Sequence, residues 1–129
     1  MLNLLSRWGN VRCAYCYTSA CFNSSLGAAF GGRIPDRSFS ATSFAWSQYV
    51  AKHGRLNGRK PAWAPSTKTN SPNDYLQIDL GGLSRICGIA TQGTSNHPEW
   101  TTKYKISLSV DNRKWIIYTV NGSEKVGKW

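Results

Sequence analysis

Between Lys103 and Val110 the chain alternates strictly: Tyr104, Ile106, Leu108 and Val110 fall on one side of an extended backbone, and Lys103, Lys105, Ser107 and Ser109 on the other. A period of two is the mark of a half-buried β-strand, because successive side chains point to opposite faces. Asp111-Asn112-Arg113-Lys114 then supplies turn chemistry before Trp115 to Val120, so the whole region reads as a hairpin. Tyr75 to Leu80 repeats the pattern, with Leu76, Ile78 and Leu80 inward and Gln77 and Asp79 on the opposite face. Ile86 to Thr91 is a third apolar segment, also read as a strand.

Around these segments Gly or Pro recurs at Gly31-Gly32, Pro35, Gly58, Pro61, Pro65, Pro72, Gly81-Gly82, Gly93 and Pro98, the punctuation of an all-β domain. No amphipathic helix of ~10 or more residues is visible. With 129 residues, of which 40% are hydrophobic and only 17% charged, the chain fits one globular domain and not a disordered tail. Residues 1–20 lack sustained periodicity and are expected to be a poorly ordered leader or linker ahead of a domain over 21–129. No run approaches the ~20 apolar residues of a membrane span. Arg7, Asn10 and Arg12 interrupt the opening before the apolar core of a secretory signal can form.

Read from Leu26-Gly27, several short blocks follow in a fixed order: Arg33-Ile34-Pro35-Asp36, Phe39-Ser40-Ala41-Thr42-Ser43, Arg55-Leu56-Asn57, Ala62-Trp63 and Tyr75 through Gly81. They continue through Ile89-Ala90-Thr91-Gln92-Gly93, Glu99-Trp100, Lys103-Tyr104-Lys105-Ile106-Ser107, and Ser109-Val110-Asp111 followed by Trp115. This series resembles the discoidin, or coagulation factor 5/8 type C, domain over roughly Cys21 to Val126. The resemblance implies an all-β, jelly-roll-like β-sandwich of the galactose-binding type, in agreement with the alternation. It also implies an extracellular or cell-surface adhesion module without catalysis, recognising glycans or anionic phospholipid. Recognition of a receptor or matrix protein is the alternative.

Within that frame Trp63, Trp100 and Trp115 are expected to pack in the core or between sheets. Gly81 and Gly93 are expected where the backbone turns sharply, and Arg55 and Asp79 are a candidate internal ion pair. Four cysteines, Cys13, Cys16, Cys21 and Cys87, permit three complete pairings. In the family a cysteine near the start usually bonds one at the end of the domain; Cys21 stands at the first position and the second has no counterpart here. The family pattern also runs on beyond Lys125-Val126, which gives the expectation of a C-terminally truncated domain with Cys87 as a free thiol. Cys13-Ala-Tyr-Cys16 has zinc-site spacing, but without a second ligand pair, and with His53 and His97 isolated, no metal or cofactor is expected.

Ligand in such domains is held by loops at one end of the sandwich, and three segments correspond by position. Ser43 to Gln48 carries Phe44 and Trp46, suited to inserting into a bilayer interface or stacking on a sugar ring. Asn57 to Lys60 adds Arg59 and Lys60 for anion attraction, and Gly93 to Pro98 offers Ser95, Asn96 and His97 as hydrogen-bonding groups. The bland counterparts are a local aromatic cluster for the first loop and ordinary solvated turns for the other two. Formal net charge is +10, and Arg33 to Lys68 holds seven bases against one acid. Such a field attracts any polyanion; nucleic acid is the least expected of them in an extracellular module. The six acids are scattered and no nucleophile pattern or phosphate loop appears, so no catalytic residues are assigned. Asn23-Ser24-Ser25 and Asn121-Gly122-Ser123 are glycosylation sequons if the protein is secreted.

Overall fold

In the computed structural model, which describes residues 2–6, 27–58, 61–66, 73–86, 89–94, 98–101, 103–120, 123–124 and 127–128, the alternating segments become strands of one antiparallel sheet. The strands are β1 (Leu2–Ser6), β2 (Phe39–Ala41), β3 (Tyr75–Ile78), β4 (Lys103–Leu108), β5 (Ile116–Ile117), β6 (Thr119–Val120), β7 (Ser123–Glu124) and β8 (Gly127–Lys128). The sheet runs β2-β3-β1-β4-β5, with β8 also paired to β4, while β6 and β7 pair with each other. Among the described residues, helix is limited to 3-10 turns over Asp36–Ser38, Ser47–Tyr49 and Ala51–Gly54.

Register carries the apolar alternation from strand to strand. Phe39 faces Ile78, Ile78 faces Leu2, Leu2 faces Leu108 and Leu108 faces Ile116, forming one cross-strand row. A second row runs Ala41, Leu76, Leu4, Ile106. A one-residue slip in any strand would turn its apolar set to the other face, so the rows define an inner face. On that face Phe39, Leu76 and Ile78 are buried against Ala28, Ile34 and Trp63, with Leu80, Ile86, Ile89, Tyr104, Ile106 and Leu108 packed around them. Trp63 is fully buried, and its indole Nε1–H donates to the Ser43 carbonyl at 2.9 Å, so the ring is covered without orphaning its one donor.

The structure corrects four expectations. Leu2–Ser6, expected to be part of a loose leader, forms β1 between β3 and β4, where its backbone pairs on both sides; residues 7–26, with the rest of that segment and Cys13, Cys16, Cys21 and Asn23, lie outside the described residues. Ile86 to Thr91 shows no strand among its described residues, although Ile86 and Ile89 contribute to the core. Val110 is 82% exposed, because β4 ends at Leu108 and the Ser109 hydroxyl accepts the Asn112 N–H at 2.9 Å, turning the chain away from the sheet.

The fourth correction concerns Arg55. Its partner is Asp36 and not Asp79: Nε and Nη2 reach Asp36 Oδ1 at 3.1 and 2.9 Å. The guanidinium also donates to the carbonyls of Ala29 and Ile34 and lies 4.3 Å from the centroid of the Phe39 ring. Arg55 is thus a buried cation satisfied on several sides. The Asp79 carboxylate instead accepts the Gly81 N–H at 2.9 Å, closing a local turn in which Gly81 takes φ +75°. Gly93 is required for a different reason: a side chain there would begin 2.9 Å from the Glu99 carbonyl oxygen.

Candidate functional site

The loop after β2 is held from below by a network that the sequence does not announce. Asp74, itself buried, accepts hydroxyl hydrogen bonds from Thr42 and Ser43, each at 2.8 Å, across more than thirty residues of chain. The Ser43 hydroxyl oxygen in turn accepts the Ser66 N–H at 3.0 Å, and its carbonyl receives the Trp63 indole. Ala45 N–H donates to the Ala64 carbonyl at 3.0 Å, Ala64 N–H to the Tyr49 carbonyl, and Tyr49 N–H back to Trp46. Every second residue of the loop is therefore tied to the body of the domain. His53, whose Nδ1–H reaches the Gln48 carbonyl at 2.6 Å, holds the far end.

On this braced backbone Phe44 and Trp46 remain open to solvent, 52% and 64% exposed. They do not fold back into a buried aromatic cluster. Large apolar rings left in water on a fixed loop are the groups expected to gain from a partner surface. Trp46 sits in extended backbone immediately before a 3-10 turn, which carries its ring outward at the loop's crest.

The second and third loops are joined to each other at their bases. Asn57, in the left-handed region at φ 56°, donates its N–H to Gln92 Oε1 at 3.0 Å. Thr94 N–H donates to the Glu99 carbonyl at 3.0 Å, pinching the third loop at its neck. Arg59, Lys60, Ser95, Asn96 and His97, with Cys87 and Asn121, lie outside the described residues. Sequence reasoning missed two further exposed rings. Trp100, expected in the core, is 52% exposed: its Cβ packs toward Gly93 while the ring faces out. Phe30 is 57% exposed on a turn whose N–H bonds the Leu56 carbonyl, directly before Asn57. Trp115 is half-buried.

Comparison with known proteins fits this geometry to a family. The model of the F5/8 type C domain matches residues 38–128. Mouse lactadherin is 34% identical over 104 residues, which are 72% of this chain and 22% of lactadherin. Rat neuropilin-2 is 31% identical over 109 residues, 81% of this chain and 12% of that protein. Mouse retinoschisin is 33% identical over 108 residues, 80% of this chain and 48% of retinoschisin. The chain spans less than half the length of each of these relatives. No solved structure matches it.

Proposed function

The chain belongs to the F5/8 type C (discoidin) domain family, whose fold is a β-sandwich, and on that premise we propose that it is a non-catalytic, extracellular binding module that docks on anionic phospholipid surfaces through Phe44 and Trp46. The observation that carries this reading is the pairing of two solvent-exposed rings with a loop whose backbone is bonded to the domain at Ser43, Ala45 and Trp46. A braced loop loses little conformational freedom on binding, so the gain from removing the rings from water goes into affinity. Burying the exposed part of each ring contributes about 1–2 kcal/mol.

The net charge of +10 supplies a second, long-range attraction. Arg59 and Lys60, in the loop after Asn57, are its proposed local contributors, and Ser95, Asn96 and His97 the proposed hydrogen-bonding partners of head groups. Exposed charges act over ~10 Å at 0.1 M salt, so they govern encounter more than the final grip.

The test is sedimentation with phosphatidylserine-containing and phosphatidylcholine-only vesicles, alongside thermal melts. Phe44→Ala with Trp46→Ala is expected to weaken binding to the anionic vesicles on the order of 100-fold while leaving the melting temperature in place. A double variant that folds and binds like the parent overturns the site; one that unfolds returns both rings to the core. Binding of the parent to a glycan array but to neither vesicle would transfer the same loop to sugar stacking.

A further inference from the structure

A cleft of ≈ 620 Å³ opens on the opposite flank of the sheet, between the 79–86 loop and the β4–β5 hairpin. Its volume lies within the ~300–1,000 Å³ typical of small-molecule sites. Leu80, Leu83 and Ile86 form one wall and Leu108, Val110 and Ile116 the other. All six are aliphatic, and no aromatic ring lines the cleft. Leu83, Val110 and Ile116 are 86%, 82% and 74% exposed, an unusual concentration of bare aliphatic surface at one concave place.

The polar groups along the walls decide what can enter. Asp79 accepts the Gly81 N–H, and the Ser84 hydroxyl bonds the Gly82 carbonyl. Asp111 accepts the N–H groups of Arg113 and Lys114, both at 2.9 Å, and the Ser109 hydroxyl at 3.1 Å. These donors and acceptors are engaged in their own turns. A sugar or a peptide laid in the cleft would bury polar groups opposite aliphatic walls, at a cost of about 1–3 kcal/mol for each left unmatched. An alkyl chain has no such groups.

Charge then chooses the head. Lys114 is the one cation of the lining, and the ion pairs among the described residues are both made to Asp36, on the other side of the sheet. Arg85 and Arg113 adjoin the same walls in sequence. A second copy of the chain would bring another +10 against the first, which opposes self-association through this face. We infer that the cleft binds a single-chain anionic amphiphile from solution, its alkyl chain between the Leu83 and Ile116 walls and its head group at Lys114.

The probe is dodecanoate, titrated calorimetrically below its aggregation concentration, with decanoate, dodecanol and dodecyltrimethylammonium as comparators. Saturable one-to-one uptake is expected, with decanoate weaker by roughly five- to tenfold. Leu83→Asp should abolish uptake; that side chain is 86% exposed, so the core is untouched and circular dichroism should not change. Lys114→Glu should weaken dodecanoate by about fivefold and leave dodecanol unchanged. Phe44→Ala with Trp46→Ala should leave dodecanoate uptake intact, which separates this site from the vesicle-binding loop. Non-saturable uptake, indifference to Leu83→Asp, equal affinity for the cationic amphiphile, or uptake only from vesicles would each overturn the assignment.

Discussion

At one edge of the main sheet Phe39 and Ile78 are 7% and 1% exposed; at the other, Ile116 stands in the same cross-strand row and is 74% exposed. The two ends share a strand pattern and differ in what lies over it. Above β2 and β3 sit Ala28, Ile34 and Trp63, delivered by loops remote in sequence. Above β4 and β5 lies the open cleft. Alternation in a strand therefore specifies which face is apolar, and the loops decide whether that face becomes core or binding surface.

The sharpest way to break this contrast is to delete one large side chain from each end. Trp63→Ala should cost about 3–5 kcal/mol, since a fully buried ring is lost and the Ser43 carbonyl loses its donor. Against a total stability of about 5–15 kcal/mol, that loss approaches unfolding. Ile116→Ala should cost no more than about 0.5 kcal/mol, as for a surface substitution. Urea denaturation midpoints measure both. Similar losses at the two positions would mean that Ile116 is covered in solution and that the halves are alike.

The same contrast explains how much was legible beforehand. β3, β4 and the following hairpin could be read because their alternation spans enough residues to define a face, and Trp63 sits in a block whose rank in the family pattern fits a core position. β1 could not, since Leu2-Asn3-Leu4 alternates too briefly to distinguish a strand from an irregular opening. Val110 continues the alternation in sequence after the strand itself has ended, because hydroxyl and carboxylate side chains at Ser109 and Asp111 capture the next backbone N–H groups. The exposure of Phe44 and Trp46 was foreseen from their loop. The Asp74 network beneath them was not, for a buried acid more than thirty residues away leaves no local signal.

Arg55 sharpens the description of the closed half. Its charge is held by Asp36, two carbonyls and the Phe39 ring, while Asp36 itself is 61% exposed at the side chain. Arg55→Met should therefore cost about 2–3 kcal/mol, leaving the Ala29 and Ile34 carbonyls without their charged donor. Asp36→Asn should cost less, about 1 kcal/mol, because water solvates one side of the pair. Asp79→Asn should not reproduce the Arg55 effect in chemical denaturation; if it did, Arg55 and Asp79 would be coupled after all.

The open half uses its charge differently, and the smallest expected effect follows from that. Asp111 closes the β4–β5 turn by accepting the Lys114 N–H and the Arg113 N–H, and these hydrogen bonds hold its pKa below the ordinary carboxylate value of 3.8. The native turn thus binds the carboxylate form more favourably than the unfolded chain does. A depressed folded pKa contributes stability that is fully present above the unfolded value and is lost as pH falls through the folded one. The contribution should be flat from neutral pH to about pH 5 and disappear only in the strongly acid range below 3.8. Asp111→Asn keeps an oxygen acceptor but no charge, so it should melt slightly lower than the parent at neutral pH and converge with it under acid. Carboxyl chemical shifts recorded through an acid titration give the direct reading. A midpoint below 3.8, accompanied by faster exchange of the Arg113 and Lys114 amides once the proton is taken up, supports the turn as drawn. A midpoint at or above that value would mean that the turn is open in solution and that the wall of the cleft carrying Val110, Lys114 and Ile116 is not held in place.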